Sequence, residues 1–170
     1  MKYLFALLFI STLFSCQSRK AQKYATLLDS TERKVFHILI DKNVEDKRLE
    51  ALIAKKPDLA LALAKKQANA LKEVVATMAK ADVDDLQNAK PLKLITTDYY
   101  KSILRLKEMD IQEAQLMSIS LERDHTKAQK AQEEAFELAR RKLKMHRDLG
   151  TLDQARQVAM TKFKETNKID

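Results

Sequence analysis

Apolar residues recur at spacings of three and four through most of this chain, the period of helices with one face turned inward. A first helix is expected from about 21 to 40, with Tyr24, Leu28, Thr31, Val35 and Leu39 on its inner stripe. Asp29 and Glu32 offer a second start for it near Ser30. Asp41-Lys42-Asn43 reads as a turn, with Asn43 as N-cap of a short helix over 44–55 that presents Leu49, Leu52 and Ile53. Pro57 suits the first position of the next helix, where a missing N–H costs nothing. The run Leu59 to Ala64 alternates like a strand, but it continues into Gln67, Ala70, Leu71, Val74 and Met78, and that spacing decides for a helix. A break follows over 79–85, with Asp82 and Asp85 placed to start a further turn or two before Pro91.

From 97 to 149 there is neither Gly nor Pro. A continuous helix of about 52 residues would span about 78 Å. Its stripe runs Ile103, Leu106, Asp110, Ala114, Met117, Leu121, Asp124, Ala128, Ala131, Ala135, Leu138, Lys142, Met145, Leu149, a coiled-coil-like seam interrupted by Asp110, Asp124 and Lys142. Those interruptions favour an intramolecular bundle or a locally irregular coil over a long uniform zipper. Gly150 falls where a helix would take a left-handed residue to stop, and Thr151 with Gln154 reads as a capping box for a last helix over 152–167. Folding back there would lay Phe163 near Leu138 and Ala135. The expected fold is all-α: an elongated helical bundle or coiled-coil-like molecule, with one long helix about 97–149 and a C-terminal αα-hairpin turning at Gly150.

Composition narrows this further. One Gly and two Pro in 170 residues leave few tight turns, and 33% charged residues suit solvated helix faces. Trp is absent and only three Phe and three Tyr follow Cys16, so the chain can bury a long thin seam better than a thick core.

The first sixteen residues have their own pattern: Lys2, an apolar run from Tyr3 to Phe14, then Leu13-Phe14-Ser15 directly before Cys16, the only cysteine. The run is too short for a membrane-spanning helix, which needs about 20 residues. This arrangement resembles a bacterial lipoprotein precursor with a lipobox-type export signal. The resemblance implies cleavage between Ser15 and Cys16, loss of signal peptide 1–15, and a diacylglyceryl thioether with N-acyl lipid such as palmitate on Cys16. Residues 16–22 would then be a lipidated tether and 23–168 a single helical domain. By the same resemblance Gln17 in place of an aspartate implies the outer membrane of the cell envelope, and the positive stretch Ser18-Arg19-Lys20, unlike an acidic surface-export tag, implies a molecule facing the periplasm.

Candidate chemistry is sparse. Glu122 and His125 form a Glu-x-x-His pair of the spacing used by carboxylate-bridged metal bundles, but the second pair such a site requires is missing. The adjacent Glu133 and Glu134 diverge on a helix, no Gly-x-Ser-x-Gly elbow exists, and one glycine cannot build a phosphate-cradling loop. No enzyme activity and no cofactor beyond the lipid is therefore expected. The formal charge is +8 with a pI near 9.5, and the basic run Arg140, Arg141, Lys144 and Arg147 is a candidate anion-binding patch. The same cations would also complement a helix C-terminus, with Glu137 pairing to Arg141. Nucleic acid is not an expected partner, because no aromatic residues interleave with the basic run. The sequence thus points to a membrane-anchored scaffold or binding module with a protein partner in the envelope. The alternatives are a periplasmic client-binding, chaperone-like clamp and a metal-responsive envelope protein; a homo-oligomer stays open.

Overall fold

The computed structural model describes residues 2–40 and 43–169, with side chains from Arg19 onward; Ser15, Cys16, Asp41, Lys42 and Asp170 lie outside the described side chains, so the cleavage site, the lipid attachment and the expected turn at Asp41-Lys42 fall outside them. Five helices follow in order: α1 (Lys2–Ile40), α2 (Val44–Ile53), α3 (Pro57–Lys80), α4 (Ala89–Ser120) and α5 (His125–Asn167), and there is no strand among the described residues. The all-α helical bundle expected from the hydrophobic pattern is what the chain forms.

Cross-chain contacts give its topology. Lys20 meets Asp85 and Gln67 Nε2 donates to the Ile38 carbonyl, so α3 returns antiparallel along α1. Lys93 Nζ donates to the Ala81 carbonyl, and Ala60 packs with Ala114, so α4 runs back along α3. Asn88 bonds Thr166 and Lys142 bonds Asp110, which makes α4 and α5 a long hairpin. Tyr24 against Phe163 and Glu32 against Arg156 close the ring between α1 and α5. The result is an up-down-up-down four-column bundle in which α1 and α2 share the first column. The near end holds Lys20, the 81–88 loop and the C-terminus of α5; the far end holds Pro57 and the 121–124 turn.

Side-chain size grades along the bundle. On α3 the inward apolar positions are Ala60, Ala64 and Ala68 at the far end, then Leu71, Val74 and Met78 at the near end, with the buried Gln67 between the two sets. The main core gathers Tyr24, Leu28, Leu71, Met78, Leu92, Tyr100 and Phe163, each large apolar side chain contributing roughly 1.5–3 kcal/mol by leaving water. A second, small cluster of Ala51, Ala60 and Ala114 holds the far half. Packing starts at Ala21 and reaches Ile169, slightly outside the expected limits of 23 and 168.

Several expectations are corrected. The long helix over 97–149 does not exist: it starts at Ala89, with Pro91 inside its first turn, and stops at Ser120. Asp124 is no seam-breaker but the N-cap of α5, its Oδ1 accepting from the Thr126 and Lys127 N–H groups at 3.0 and 3.2 Å. The αα-hairpin therefore turns at 121–124 and not at Gly150, which lies in the interior of α5, as do Thr151 and Gln154. Phe163 shares one uninterrupted helix with Leu138 and cannot fold onto it; its ring meets Tyr24 edge-on, with centroids 5.4 Å apart. Asp82 and Asp85 sit in a turn-rich loop without starting a helix. Nor does Ser30 start one, because α1 runs unbroken through it, Asp29 pairing with Arg33 and Glu32 with Arg156.

Short turns need left-handed residues, and this chain supplies them without glycine. Asn43, Lys55, Asn88 and Lys168 have φ of 52, 55, 58 and 54°. Asn43 thus precedes α2 without a side-chain cap bond. Lys55 and Lys168 occupy the position glycine usually takes in a Schellman stop, where Lys56 N–H reaches the Ala51 carbonyl at 2.8 Å and Ile169 N–H the Lys164 carbonyl at 3.0 Å.

Candidate functional site

Charged residues take core positions in the far half. α2 was expected to present Leu49, Leu52 and Ile53; instead Leu49 and Ile53 are exposed, and Arg48 and Ala51 face inward. The Arg48 guanidinium, only 3% exposed, spans three carboxylates: Glu45 at 2.7 Å, Glu113 at 2.8 Å and Asp110 at 3.5 Å. Lys107 bridges Glu45 at 2.7 Å and Asp110 at 2.8 Å. From α5, Lys142 reaches Asp110 at 2.6 Å and Glu113 at 3.0 Å. Asp110 and Lys142, two of the seam's interruptions, are thus partners across the hairpin.

The cluster sets three cations against three carboxylates, so the interior carries no excess charge. Burial pushes the Glu45 carboxyl upward, but hydrogen bonds from Arg48 and Lys107 and their charges outweigh it and hold its pKa at about 2. Burial disfavours the Lys142 charge, yet Asp110 and Glu113 raise its pKa above the ordinary value. Glu45 stays ionised and Lys142 stays protonated at neutral pH. Neither is poised to move a proton, and the cluster acts as a tie between α2, α4 and α5. Beside it lies a cavity of about 440 Å³, walled by Leu39, Tyr99, Ile103, Leu106 and Leu149 with His146 at its margin.

A similar tie holds the near half. Arg156, buried and 4.9 Å above the Tyr99 ring, meets Glu32 at 3.2 Å and Asp153 at 2.9 Å. The hydroxyls of Tyr24, Thr96 and Tyr100 are buried with no hydrogen-bond partner among the described residues. Burial pushes the Tyr100 pKa up to about 12, so its phenol stays neutral.

A wide groove of about 820 Å³ opens at the far end, where the start of α3 meets the second half of α4 and the first half of α5. Pro57, Leu61, Leu116 and Ile119 give it an apolar floor; Asp58, Glu133, Glu134 and Glu137 line it with carboxylates, and Arg141 is its one cation. Glu133 and Glu134, expected to diverge, both border it because it is broad enough to reach two faces of α5.

The remaining candidates separate. Glu122 sits in the 121–124 turn and His125 begins α5, so the pair does not share a helical turn, and no group of three or more metal-ligating side chains occurs among the described residues. Of the basic run, Arg140 lies 4.6 Å over the Phe136 ring and bonds Glu137, which therefore pairs with Arg140 and not Arg141. Lys144 and Arg147 are exposed. The run lies mid-helix, so a C-terminal dipole does not explain it. Glu45, Arg48, Lys107 and Glu113 escaped the sequence reading; opposite charges at core-phase positions 110 and 142 were the available signal. No protein-family model, curated protein or solved structure matches the chain.

Proposed function

We propose that this chain is a lipid-anchored protein of a bacterial envelope, held by acyl chains on Cys16, which serves as a non-enzymatic scaffold or binding module on the periplasmic side of the outer membrane. The observation that carries the reading is the brief interval between anchor and bundle: Ala21, fully buried, follows Cys16 by five positions. Within α1 these five positions rise only about 7.5 Å, and even fully extended they would span at most about 18 Å. Such a tether would hold the near end of the bundle against the bilayer, where Arg19, Lys23, Lys80, Lys164 and Lys168 stand among the exposed carboxylates of Asp82, Asp84 and Asp85. Among the described residues no helix is long and apolar enough to cross a membrane.

The far groove then lies about 40 Å along the bundle from the anchored end. Its apolar floor suits a partner protein, and its carboxylates disfavour acidic clients, so a partner-binding module fits better than a clamp for unfolded acidic chains. Metabolic labelling with a radiolabelled or clickable palmitate tests the anchor. Wild-type chain should take up label and sediment with membranes, and Cys16→Ser should lose both. Label-free wild-type protein would overturn the reading. Crosslinking from intact cells tests the groove: a specific partner lost with Ile119→Asp is expected, and no such partner would count against the module.

A further inference from the structure

The outward ridge of α5 is built to pair with itself. Counting at 100° per residue, the buried Ala131 and Leu138 and the half-buried Lys142 point one way, and the opposite ridge carries Glu133, Phe136, Glu137, Arg140, Leu143, Lys144 and Arg147. Two features separate this ridge from an ordinary solvated face. Phe136 and Leu143 stand 60% and 57% exposed in the middle of it. Its charge is also split: carboxylates at 133 and 137 precede cations at 140, 144 and 147.

We propose that this ridge is an interface between two copies of the chain, paired antiparallel across a two-fold axis near Arg140. Reversing one copy about position 140 sets Glu133 opposite Arg147 of the second copy, Glu137 beside Leu143 and Lys144, and Phe136 against Leu143 and Lys144. Each apolar side chain then meets another, and carboxylates meet cations twice over by symmetry. The two Arg140 groups meet at the axis, flanked by the two Glu137 carboxylates that already pair with them at 3.2 Å. Existing partners do not compete strongly: Glu133 accepts only from Gln129, at 3.2 Å on the exposed face. Lys144 and Arg147 make no ion pair among the described residues. A parallel pairing would oppose like charges along the whole ridge and is disfavoured.

The basic run expected to bind anions is, on this reading, one half of a self-complementary surface. A contact of seven ridge residues per copy, over the helix segment 133–147, is small for a stable dimer, so the association is weak in solution and strengthened by confinement to a surface. The inference deepens the scaffold reading, supplying a second copy as one partner, and it does not require Cys16 to be acylated. Two anchored copies would meet with their long axes along the membrane surface, because their near ends point apart.

Charge exchange in the full chain carrying Cys16→Ser tests it by sedimentation equilibrium. Glu133→Arg alone, or Arg147→Glu alone, should weaken self-association at least tenfold, and the two together should restore it, with unchanged helicity throughout. In the same cysteine-free background, Arg140→Cys should form a disulfide-linked dimer under mild oxidation, whereas Lys127→Cys, also exposed on α5, should not. A chain that stays monomeric at millimolar concentration, a dimer indifferent to the single exchanges, or a double exchange that fails to restore pairing would each overturn the interface. Palmitate labelling of the wild-type chain reads the anchor separately, so loss of one conclusion leaves the other standing.

Discussion

The near and far halves of this bundle solve one packing problem in different ways. In the near half α1, α3, α4 and α5 bury Tyr24, Leu71, Met78, Leu92 and Phe163 in one apolar core. In the far half α2 replaces α1, the inward side chains shrink to Ala51, Ala60 and Ala114, and a six-residue charge cluster takes the space. Apolar burial is non-directional and tolerant of conditions, whereas buried ion pairs depend on every partner being present and charged. The near half, where one buried cation, Arg156, with Glu32 and Asp153 borders a large apolar core, is therefore the more stable platform, and the far half, whose centre is the six-residue cluster beside the groove, depends more on charge and pH.

Phe163→Ala should cost the most, about 3–5 kcal/mol, because a fully buried ring is lost from the centre of the apolar half. Denaturant unfolding should show the loss as a lower midpoint for the whole chain; a shift under 1 kcal/mol would break the contrast between halves. Arg48→Met should cost about 2–3 kcal/mol, less than a fully buried ion because Glu45 and Glu113 are each one-third exposed and can rehydrate. Its signature is local: amide exchange should rise in α2 and at the far ends of α4 and α5 while Tyr24 and Leu71 stay protected.

Acid should separate the halves in the same manner. The Glu45 carboxyl is held at about 2 when folded, against an ordinary value of 4.5, so the folded state binds fewer protons. Its contribution is present above about pH 4.5 and is lost as pH falls through about 2. Amide exchange along that titration should loosen α2 before the near core, and Glu45→Gln should remove the pH dependence of that early step. Uniform loosening would argue against two unlike halves.

The smallest effects concern backbone. The only glycine lies mid-helix with nothing within 4 Å of where a Cβ would sit, so Gly150→Ala should stabilise by about 0.5–1 kcal/mol, and Gly150→Val should leave stability nearly unchanged. Lys55→Gly should also stabilise, by about 1 kcal/mol, since residue 55 has φ of 55°. Thermal melts check both; destabilisation by Gly150→Ala would restore a turn at that site.

These positions show what the sequence could tell. The stripe from Tyr24 to Val35, Pro57 at the start of α3 and the spacing through Met78 were legible because large apolar residues mark an inner face. The 121–124 turn was not, because it uses neither Gly nor Pro and its marker, Asp124, sits in phase with the seam. Gly150 misled in the opposite sense: packing of α5 on either side holds the helix through a residue that local propensity would use to end it. In the far half the inward face is written in Ala, Arg, Lys, Asp and Glu, residues that pattern reading assigns to solvent. Only the partners on other helices make Arg48 and Asp110 core residues, and partners are not visible along one chain.

The bond between Asp110 and Lys142 tests the two-part bundle most directly, because it exists only if the hairpin turns at 121–124 and charges hold the far half. A double-mutant cycle with Asp110→Asn and Lys142→Met, read by residue-resolved amide exchange, should give a coupling of about 1–3 kcal/mol confined to the far half. On one continuous helix the two residues would stand about 48 Å apart. A coupling near zero would contradict both the turn and the tie.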